Sequence, residues 1–158
     1  GHGVADLAGF LNAGVRVGVG SDSVASNNRM DILDETRLAL LFGRAIGRKW
    51  NSFPASLGLE LATLRGAAAL GLGNEIGSLD VGKSADLAAF PLDVAHAQPV
   101  QDPESALLFA ASGRGAKLVT VAGEELVRDA RLVRDISHDL SALRQAGADL
   151  RRLGTLVS

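Results

Sequence analysis

The chain has 158 residues, of which 47% are hydrophobic and 22% are charged, and its formal net charge is −2. This length suits one domain and falls short of the roughly 250 residues that a complete (β/α)8 barrel needs. The small net charge gives no electrostatic basis for binding nucleic acid or an anionic membrane, and no apolar run approaches the roughly 18 residues that span a bilayer. The absence of cysteine excludes disulfides and thiolate metal sites and fits a reducing compartment. We therefore expect a cytoplasmic protein with no nucleic-acid or membrane partner.

The first residue is glycine, and the only methionine is Met30. Two explanations of the start, Gly1-His2, stay open at this point. The dipeptide is either the remnant of a cleaved expression tag or part of a longer protein, and composition does not choose between them.

A helix and a strand pattern open the chain. Apolar residues at helical spacing predict a helix over residues 4–13, closed by Gly14. Three alternating valines predict a short strand over residues 15–19, and a polar loop over residues 21–28 follows it. Helix, tight turn and strand in this order are typical of an α/β protein with a parallel sheet.

Two further helices are predicted after the polar loop. The first covers about residues 31–46, and the second covers residues 55–65. Gly66 is predicted to separate the second helix from a short turn over residues 67–70. The candidate N-caps of the first helix are the polar residues that precede its apolar positions, namely Asn27, Asn28 and Asp31.

The pattern changes near residue 74, where a glycine-rich segment begins, and we place a boundary at residues 71–76. The elements predicted after it are a short strand over residues 86–90, a helix over 105–111 with Asp102 as its N-cap, a hairpin of strands 117–121 and 125–132, and a terminal amphipathic helix capped by Ser137.

Asp22 is the most informative candidate for a catalytic or metal-binding residue. It follows the C-terminal end of the predicted strand, where loops of parallel α/β proteins line a shared cavity. A carboxylate there can bind a hard or borderline metal and accept a proton from water. Its alternative role is to cap a turn with Ser21 and Ser23.

The histidines do not complete a metal site around Asp22. His2, His96 and His138 lie far apart in the sequence and show no metal-ligand spacing. A catalytic zinc needs about three protein ligands, so further ligands would have to come from elsewhere.

A second motif, a phosphate-binding pattern, does not fit its sequence context. Residues 77–84 satisfy the phosphate-binding pattern G-x-x-x-x-G-K-[ST]. That loop must lead into a long helix, whereas a strand pattern follows here. We therefore interpret the match as accidental.

Three ordered motifs carry a family resemblance. They are G-S-D-S-V-A-S-N-N-x-x-D at residues 20–31 with E-x-R-x-A at 35–39, L-A-T-x-x-G-A-x-A-L-G-L at 61–72, and E-I-G-S-L-x-x-G-K-x-A-D-L at 75–87. They resemble the last barrel strand and helix, the helix that leaves the barrel, and the start of the appended β-sandwich of the amidohydrolase superfamily. The similar branch contains triazine chlorohydrolases, guanine deaminases and methylthioadenosine/S-adenosylhomocysteine deaminases. The resemblance extends over nearly the whole chain.

For the fold, the resemblance implies the last helix–strand–helix part of a TIM barrel plus a β-sandwich composite domain and a terminal helix. The implied domains are the barrel part over residues 1–73, the sandwich over 74–134 and the amphipathic helix over 135–158. His2 then belongs to the glycine-rich entry of the last barrel helix and is neither a tag remnant nor a ligand. The His-x-His motif, two later histidines and an acid/base glutamate would lie in a missing N-terminal barrel portion.

For the chemistry, the resemblance implies one divalent metal, zinc or iron, with Asp22 as a ligand that also takes a proton from the attacking water. We expect the parent to deaminate an amino-substituted, purine-like or other heterocycle and to be a homo-oligomer. Ser23, Ser26, Asn27 and Asn28 are expected to line the substrate pocket. The fragment alone is expected to be inactive and not to retain the metal. The alternative is a non-catalytic domain that serves assembly.

Overall fold

The computed structural model of the protein describes residues 3–111 and 115–154. Its helices are α1 (Leu7–Asn12), α2 (Val24–Asn27), α3 (Ile32–Gly47), α4 (Ala55–Ala62), α5 (Leu64–Ala69), α6 (Pro103–Ser105) and α7 (Ser137–Gly154), with a 3-10 turn at Ala95–Ala97 and a π-helical turn at Ala106–Ala110. Its strands are β1 (Leu87–Ala89), β2 (Leu118–Val121), β3 (Glu124–Arg128) and β4 (Arg131–Leu132). The architecture is therefore mixed, with helices α1–α5 in the first half and a small antiparallel sheet together with helices α6 and α7 in the second.

The first helix is shorter than predicted. The Asp6 carboxylate accepts a hydrogen bond from the Gly9 N–H (2.9 Å) and caps the helix, so that α1 begins at Leu7 rather than at residue 4. Gly14 has a φ of +69° and ends the turn as predicted.

The predicted strand over residues 15–19 is not formed. The one sheet among the described residues is β1–β4, and all its pairings are antiparallel. A strand needs a neighbour to share its N–H and C=O groups, and no described segment pairs with residues 15–19 in this way. The segment contacts helices instead, since the Val19 N–H donates to the Leu61 carbonyl (3.3 Å). A parallel sheet is accordingly absent from the part of the chain that the structure describes.

Helix α3 confirms its prediction to within one residue at each end. Asp31 is the N-cap, and its carboxylate accepts from the Asp34 N–H (3.2 Å). Thr36 and Leu40 on this helix are fully buried. Leu40 belongs to a core that also contains Leu7, Ala55, Leu61 and Leu108, so α3 packs its buried face into this core.

The predicted break at Gly66 is wrong, because the helix breaks at Thr63. Thr63 has φ −129° and ψ −94°, and its hydroxyl donates to the Leu59 carbonyl (2.6 Å). A threonine that hydrogen-bonds back to the preceding turn bends a helix. Gly66 lies inside α5, where the backbone of Gly18 approaches it.

The helix predicted over residues 105–111 starts where its predicted N-cap places it, because α6 begins at Pro103, directly after Asp102. Asp102 is its N-cap as predicted and accepts from the backbone N–H groups of Glu104 and Ser105, both at 3.2 Å. After α6 the chain continues as the π-helical turn. This turn brings Leu108 against Gly58, where a Cβ atom would lie only 2.6 Å from Leu108 Cδ2.

The second half contains the predicted hairpin with one correction. The strand order is β1-β2-β3-β4, with Leu87 opposite Thr120 and Val119 opposite Val127. The predicted strand over residues 125–132 is divided into β3 and β4, because Asp129 and Ala130 adopt left-handed backbone angles (φ +49° and +60°) and turn the chain back.

The terminal helix α7 begins at Ser137, but Ser137 does not cap it. Asp135 accepts hydrogen bonds from the Ser137 N–H (2.9 Å) and hydroxyl (2.6 Å), and this pair of bonds lowers the pKa of Asp135. Residues 155–158 of the predicted terminal segment lie outside the described residues. Within the described ranges, no helix is both long enough and apolar enough to cross a membrane.

Candidate active site

The turn that carries Asp22 holds its carboxylate in one orientation. Asp22 has a φ of +55°, which is uncommon for a residue other than glycine, and its side chain is exposed. Its Oδ1 atom accepts from the Ser23 N–H (2.7 Å), while the Ser21 hydroxyl donates to the Asp22 carbonyl (3.2 Å). Among the described residues, Oδ2 has no hydrogen-bond partner. The turn-capping role and an available carboxylate oxygen are therefore both present.

Asn27 connects this turn to helix α3. Its side-chain Nδ2 donates to the Ser21 carbonyl (3.0 Å) and also to Glu35 Oε1. Glu35 is half-buried on the first turn of α3. The sequence predicted Asn27 as a pocket residue and included Glu35 only in a family motif, so its contact with the loop was missed.

The other predicted pocket residues have different environments. Ser23 and Ser26 come together, with 3.4 Å between their hydroxyl oxygens. Asn28 ends α2 with a φ of +62°, and its backbone N–H donates to the Val24 carbonyl (2.7 Å). All three side chains are exposed.

An ion-pair group fastens the end of the loop to the start of α3. Arg29 lies 2.7 Å from Asp34 Oδ2 and 3.7 Å from Asp31 Oδ2. The Asp31 side chain is only 3% exposed, and its Oδ2 atom makes no hydrogen bond. The Arg29 guanidinium is therefore the nearby positive charge that compensates this buried carboxylate.

The described residues do not form a metal site by themselves. They contain no group of three or more histidine, cysteine, aspartate or glutamate side chains that could hold a metal ion. His96 lies on the 3-10 turn and His138 on α7, while His2 lies outside the described residues. Asp22 fits zinc or iron as one oxygen ligand, and the other ligands would have to come from outside this part of the chain.

The phosphate-loop pattern at residues 77–84 has a structural role, which agrees with the interpretation of the match as accidental. The Lys83 ammonium donates to the Gly73 carbonyl (2.7 Å) and to the Ser78 hydroxyl (2.6 Å). The next element is β1 rather than a helix. Lys83 thus closes a turn and is not directed to an open loop.

Comparison with known proteins identifies the family. Residues 1–126 match the family model described as the amidohydrolase family. A 5-methylthioadenosine/S-adenosylhomocysteine deaminase from Moorella thermoacetica is 42% identical over 125 residues, which are 79% of this chain and 29% of that protein.

Two zinc-bound crystal structures are similar to this chain. An adenosine deaminase from Xanthomonas campestris superposes with a TM-score of 0.86 at 33% identity, over 90% of this chain and 33% of that one. The atrazine chlorohydrolase of Arthrobacter aurescens gives a TM-score of 0.81 at 33% identity, over 91% and 32%. The chain spans about a third of the length of these relatives. Because the family model matches most of its residues, the chain belongs to the amidohydrolase family.

Proposed function

We propose that this chain is the C-terminal third of a metal-dependent amidohydrolase that deaminates an amino-substituted heterocycle, of which a purine-like ring is the first candidate. One observation carries the proposal. The exposed Asp22 residue stands in a family motif and in a left-handed turn, and its Oδ1 accepts from the Ser23 N–H while Oδ2 has no hydrogen-bond partner among the described residues. The names of the similar proteins, which are deaminases and a chlorohydrolase of heterocycles, support this substrate class.

Asp22 has two proposed roles, as a metal ligand and as the acceptor of a proton from the attacking water. A divalent metal, when bound, lowers the pKa of water so that a nucleophile is available at neutral pH. The Ser23 N–H donates to Oδ1, which leaves Oδ2 for these tasks. In the overall reaction water supplies an oxygen to the ring carbon, the bond from that carbon to the amine breaks, and ammonia leaves. The zinc in both similar structures supports a divalent ion, zinc or iron.

Ser23, Ser26, Asn27 and Asn28 are proposed to form one wall of the substrate pocket. The two hydroxyls are exposed beside Asp22 and can each donate and accept hydrogen bonds. Such groups suit the ring nitrogens of a heterocycle.

The domain assignment follows the same proposal. Residues 1–73 would complete a (β/α)8 barrel, residues 74–134 would belong to a β-sandwich, and residues 135–158 would form the terminal helix. The missing N-terminal barrel portion is the first proposed partner, followed by a second copy of the enzyme in a homo-oligomer. The cytoplasm is the proposed location.

A non-catalytic assembly domain is the second candidate function. Helix α7 favours it, because Leu140, Leu143 and Leu150 are exposed there. Exposed leucines on one helix are typical of an interaction surface.

The deciding experiment compares Asp22→Asn with the wild type in the full-length protein. Loss of a general base lowers turnover by about 10²–10⁴-fold, measured as ammonia release from a panel of aminopurine nucleosides, and zinc content is measured in parallel. Asp93→Asn is the matched control, because Asp93 is an exposed carboxylate distant in sequence from the loop. An Asp22→Asn enzyme with normal zinc content and normal turnover contradicts the proposal. If the 158-residue chain alone binds stoichiometric zinc and turns over substrate, the proposal that it is one third of a larger enzyme is contradicted.

A further inference from the structure

We propose that Glu35 and Asn27 are positioning residues that hold the Asp22 turn in the geometry needed for activity. The inference rests on the proposed role of Asp22 and adds two residues to it. Neither residue has to touch the metal or the substrate for this role.

The Asn27 amide makes two hydrogen bonds that fix its orientation. Both partners of Nδ2, the Ser21 carbonyl (3.0 Å) and Glu35 Oε1, are acceptors. Only the NH2 end of an asparagine side chain can donate, and it has two hydrogens, one for each partner. The bond to the carboxylate is charge-assisted, which makes it stronger than a neutral one. The amide therefore acts as a bridge between the turn and helix α3.

The bridge acts on the peptide group next to Asp22. The Ser21 carbonyl belongs to the planar peptide unit whose nitrogen is that of Asp22. When Asn27 holds that carbonyl, it fixes the plane from which the Asp22 backbone turns. This matters because the left-handed φ of Asp22 (+55°) is costly for a residue with a side chain and persists only where surrounding contacts enforce it.

The other end of the bridge is anchored in the core. Glu35 precedes Thr36, which is fully buried and whose hydroxyl donates to the Ile32 carbonyl (2.6 Å). Leu40, one turn further, is also fully buried. A continuous path of contacts thus runs from the core through α3, Glu35, Asn27 and the Ser21 carbonyl to Asp22.

The required property of Glu35 is an acceptor oxygen at its side-chain end. Glutamine keeps such an oxygen and alanine does not. A positioning role therefore predicts that Glu35→Gln restores most of the function lost in Glu35→Ala. A role of Glu35 as a proton donor or acceptor in the reaction predicts that the glutamine variant is as inactive as the alanine variant.

The test uses the full-length protein and the variants Glu35→Ala, Asn27→Ala, the double variant and Glu35→Gln. We measure kcat, KM, the thermal unfolding midpoint, and zinc affinity by competition with a chelator. Residues that support a metal ligand contribute about 10–100-fold to affinity or activity. We expect each single alanine variant to lower kcat and zinc affinity by about 10-fold or more. Little change in KM is expected for Glu35→Ala, and KM is judged on this variant because Asn27 is also proposed to line the pocket. The double variant should be no worse than the poorer single variant, because both changes remove the same bridge.

Glu60→Ala is the matched control. Glu60 is a glutamate on the surface of α4 that pairs with Arg65, away from the loop in sequence and in its contacts. It should leave kcat and zinc affinity unchanged. Asn27→Asp, which removes both donors at nearly constant shape, replaces the alanine variants if these do not fold, and it should be impaired at least as strongly, because its carboxylate would face that of Glu35.

Three results would overturn the inference: kcat and zinc affinity that stay within about twofold of the wild type in Asn27→Ala or Asn27→Asp, additive losses in the double variant, or a Glu35→Gln enzyme as impaired as Glu35→Ala. Asp22→Asn in the same series separates the two proposals. If it is inactive while the Asn27 variants are normal, only the positioning role fails. If it is fully active with normal zinc affinity, the proposed function fails.

Discussion

Replacement of Gly18 by alanine tests how closely the segment before Asp22 packs against helix α5. A Cβ atom at Gly18 would lie 2.7 Å from the Cα atom of Gly66 on α5. Carbon atoms pack at about 3.5–4.0 Å, so the two backbones must separate by about 1 Å. The obstacle is backbone, and no side-chain rotation relieves it. The neighbouring bond from the Val19 N–H to the Leu61 carbonyl (3.3 Å) is stretched by the same movement.

This displacement should lower both the stability of the protein and its catalytic rate. Overpacking of this kind costs about 1–3 kcal/mol of unfolding free energy, measured by urea unfolding. A shift of about 1 Å at a reacting group lowers the rate by up to about 10²-fold, and Asp22, the proposed proton acceptor, lies four residues further along the chain. Gly20→Ala is the control for stability, since a Cβ atom there meets nothing within 4 Å and the φ of Gly20 is not left-handed. A Gly18→Ala protein as stable and as active as the wild type would refute the reasoning.

Three further changes have defined outcomes. Leu40→Ala empties a fully buried position and should lower the unfolding free energy by about 2–5 kcal/mol in urea titrations; a loss below about 1 kcal/mol would show that Leu40 is not central to the core. Lys83→Met leaves the Gly73 carbonyl without its donor and should cost about 1–3 kcal/mol by the same measurement, so a neutral result would contradict its structural role. The Ser105 hydroxyl lowers the pKa of Asp102, so the stabilising contribution of this carboxylate is complete above its unfolded pKa and is lost as the pH falls through the folded pKa. Thermal unfolding below about pH 4 should therefore show the wild type losing stability relative to Asp102→Asn. If the stabilities of the two proteins change in parallel with pH, the Asp102 carboxylate does not make this contribution.

Local signals in the sequence predicted those elements that depend on local contacts. Helix α3 could be placed because its cap, Asp31, and its apolar spacing lie within the helix itself. The Asp102-Pro103 start of α6 could be placed for the same reason. In both cases the capping side chain bonds to a backbone N–H two or three residues away, so the sequence alone contains both partners.

The sequence predicted secondary structure wrongly where an element depends on a contact distant in sequence or on an unusual backbone conformation. The valines at residues 15–19 have a strand pattern, but a pattern does not supply the neighbouring strand that a ladder requires. Gly66 looked like a helix breaker, whereas its small size allows Gly18 to approach and Thr63 makes the break. Ala130 gave no signal for its left-handed angle (φ +60°), because alanine rarely adopts it.

The sequence suggested the main residue of the candidate site but not the contacts that support it. Asp22 was proposed from its place after the valine pattern and within a family motif. Glu35 was part of the same motif, but nothing in the spacing indicates that it holds Asn27 across the loop. That contact depends on how α2 turns the chain back toward α3, which local patterns do not determine.

The position of Asp22 is fixed from both directions along the chain. Before it, Gly18 rests on Gly66 of α5, and after it, Asn27 binds Glu35 of α3. Helices α3 and α4 share one core through Leu40 and Leu61, and α5 follows α4 directly, so both supports belong to the same packed unit. Damage to either support should therefore displace Asp22. Under the proposed function, in which Asp22 is the one metal ligand that this chain contributes, the metal affinity of the full-length protein is then a direct measure of how well the two supports hold Asp22.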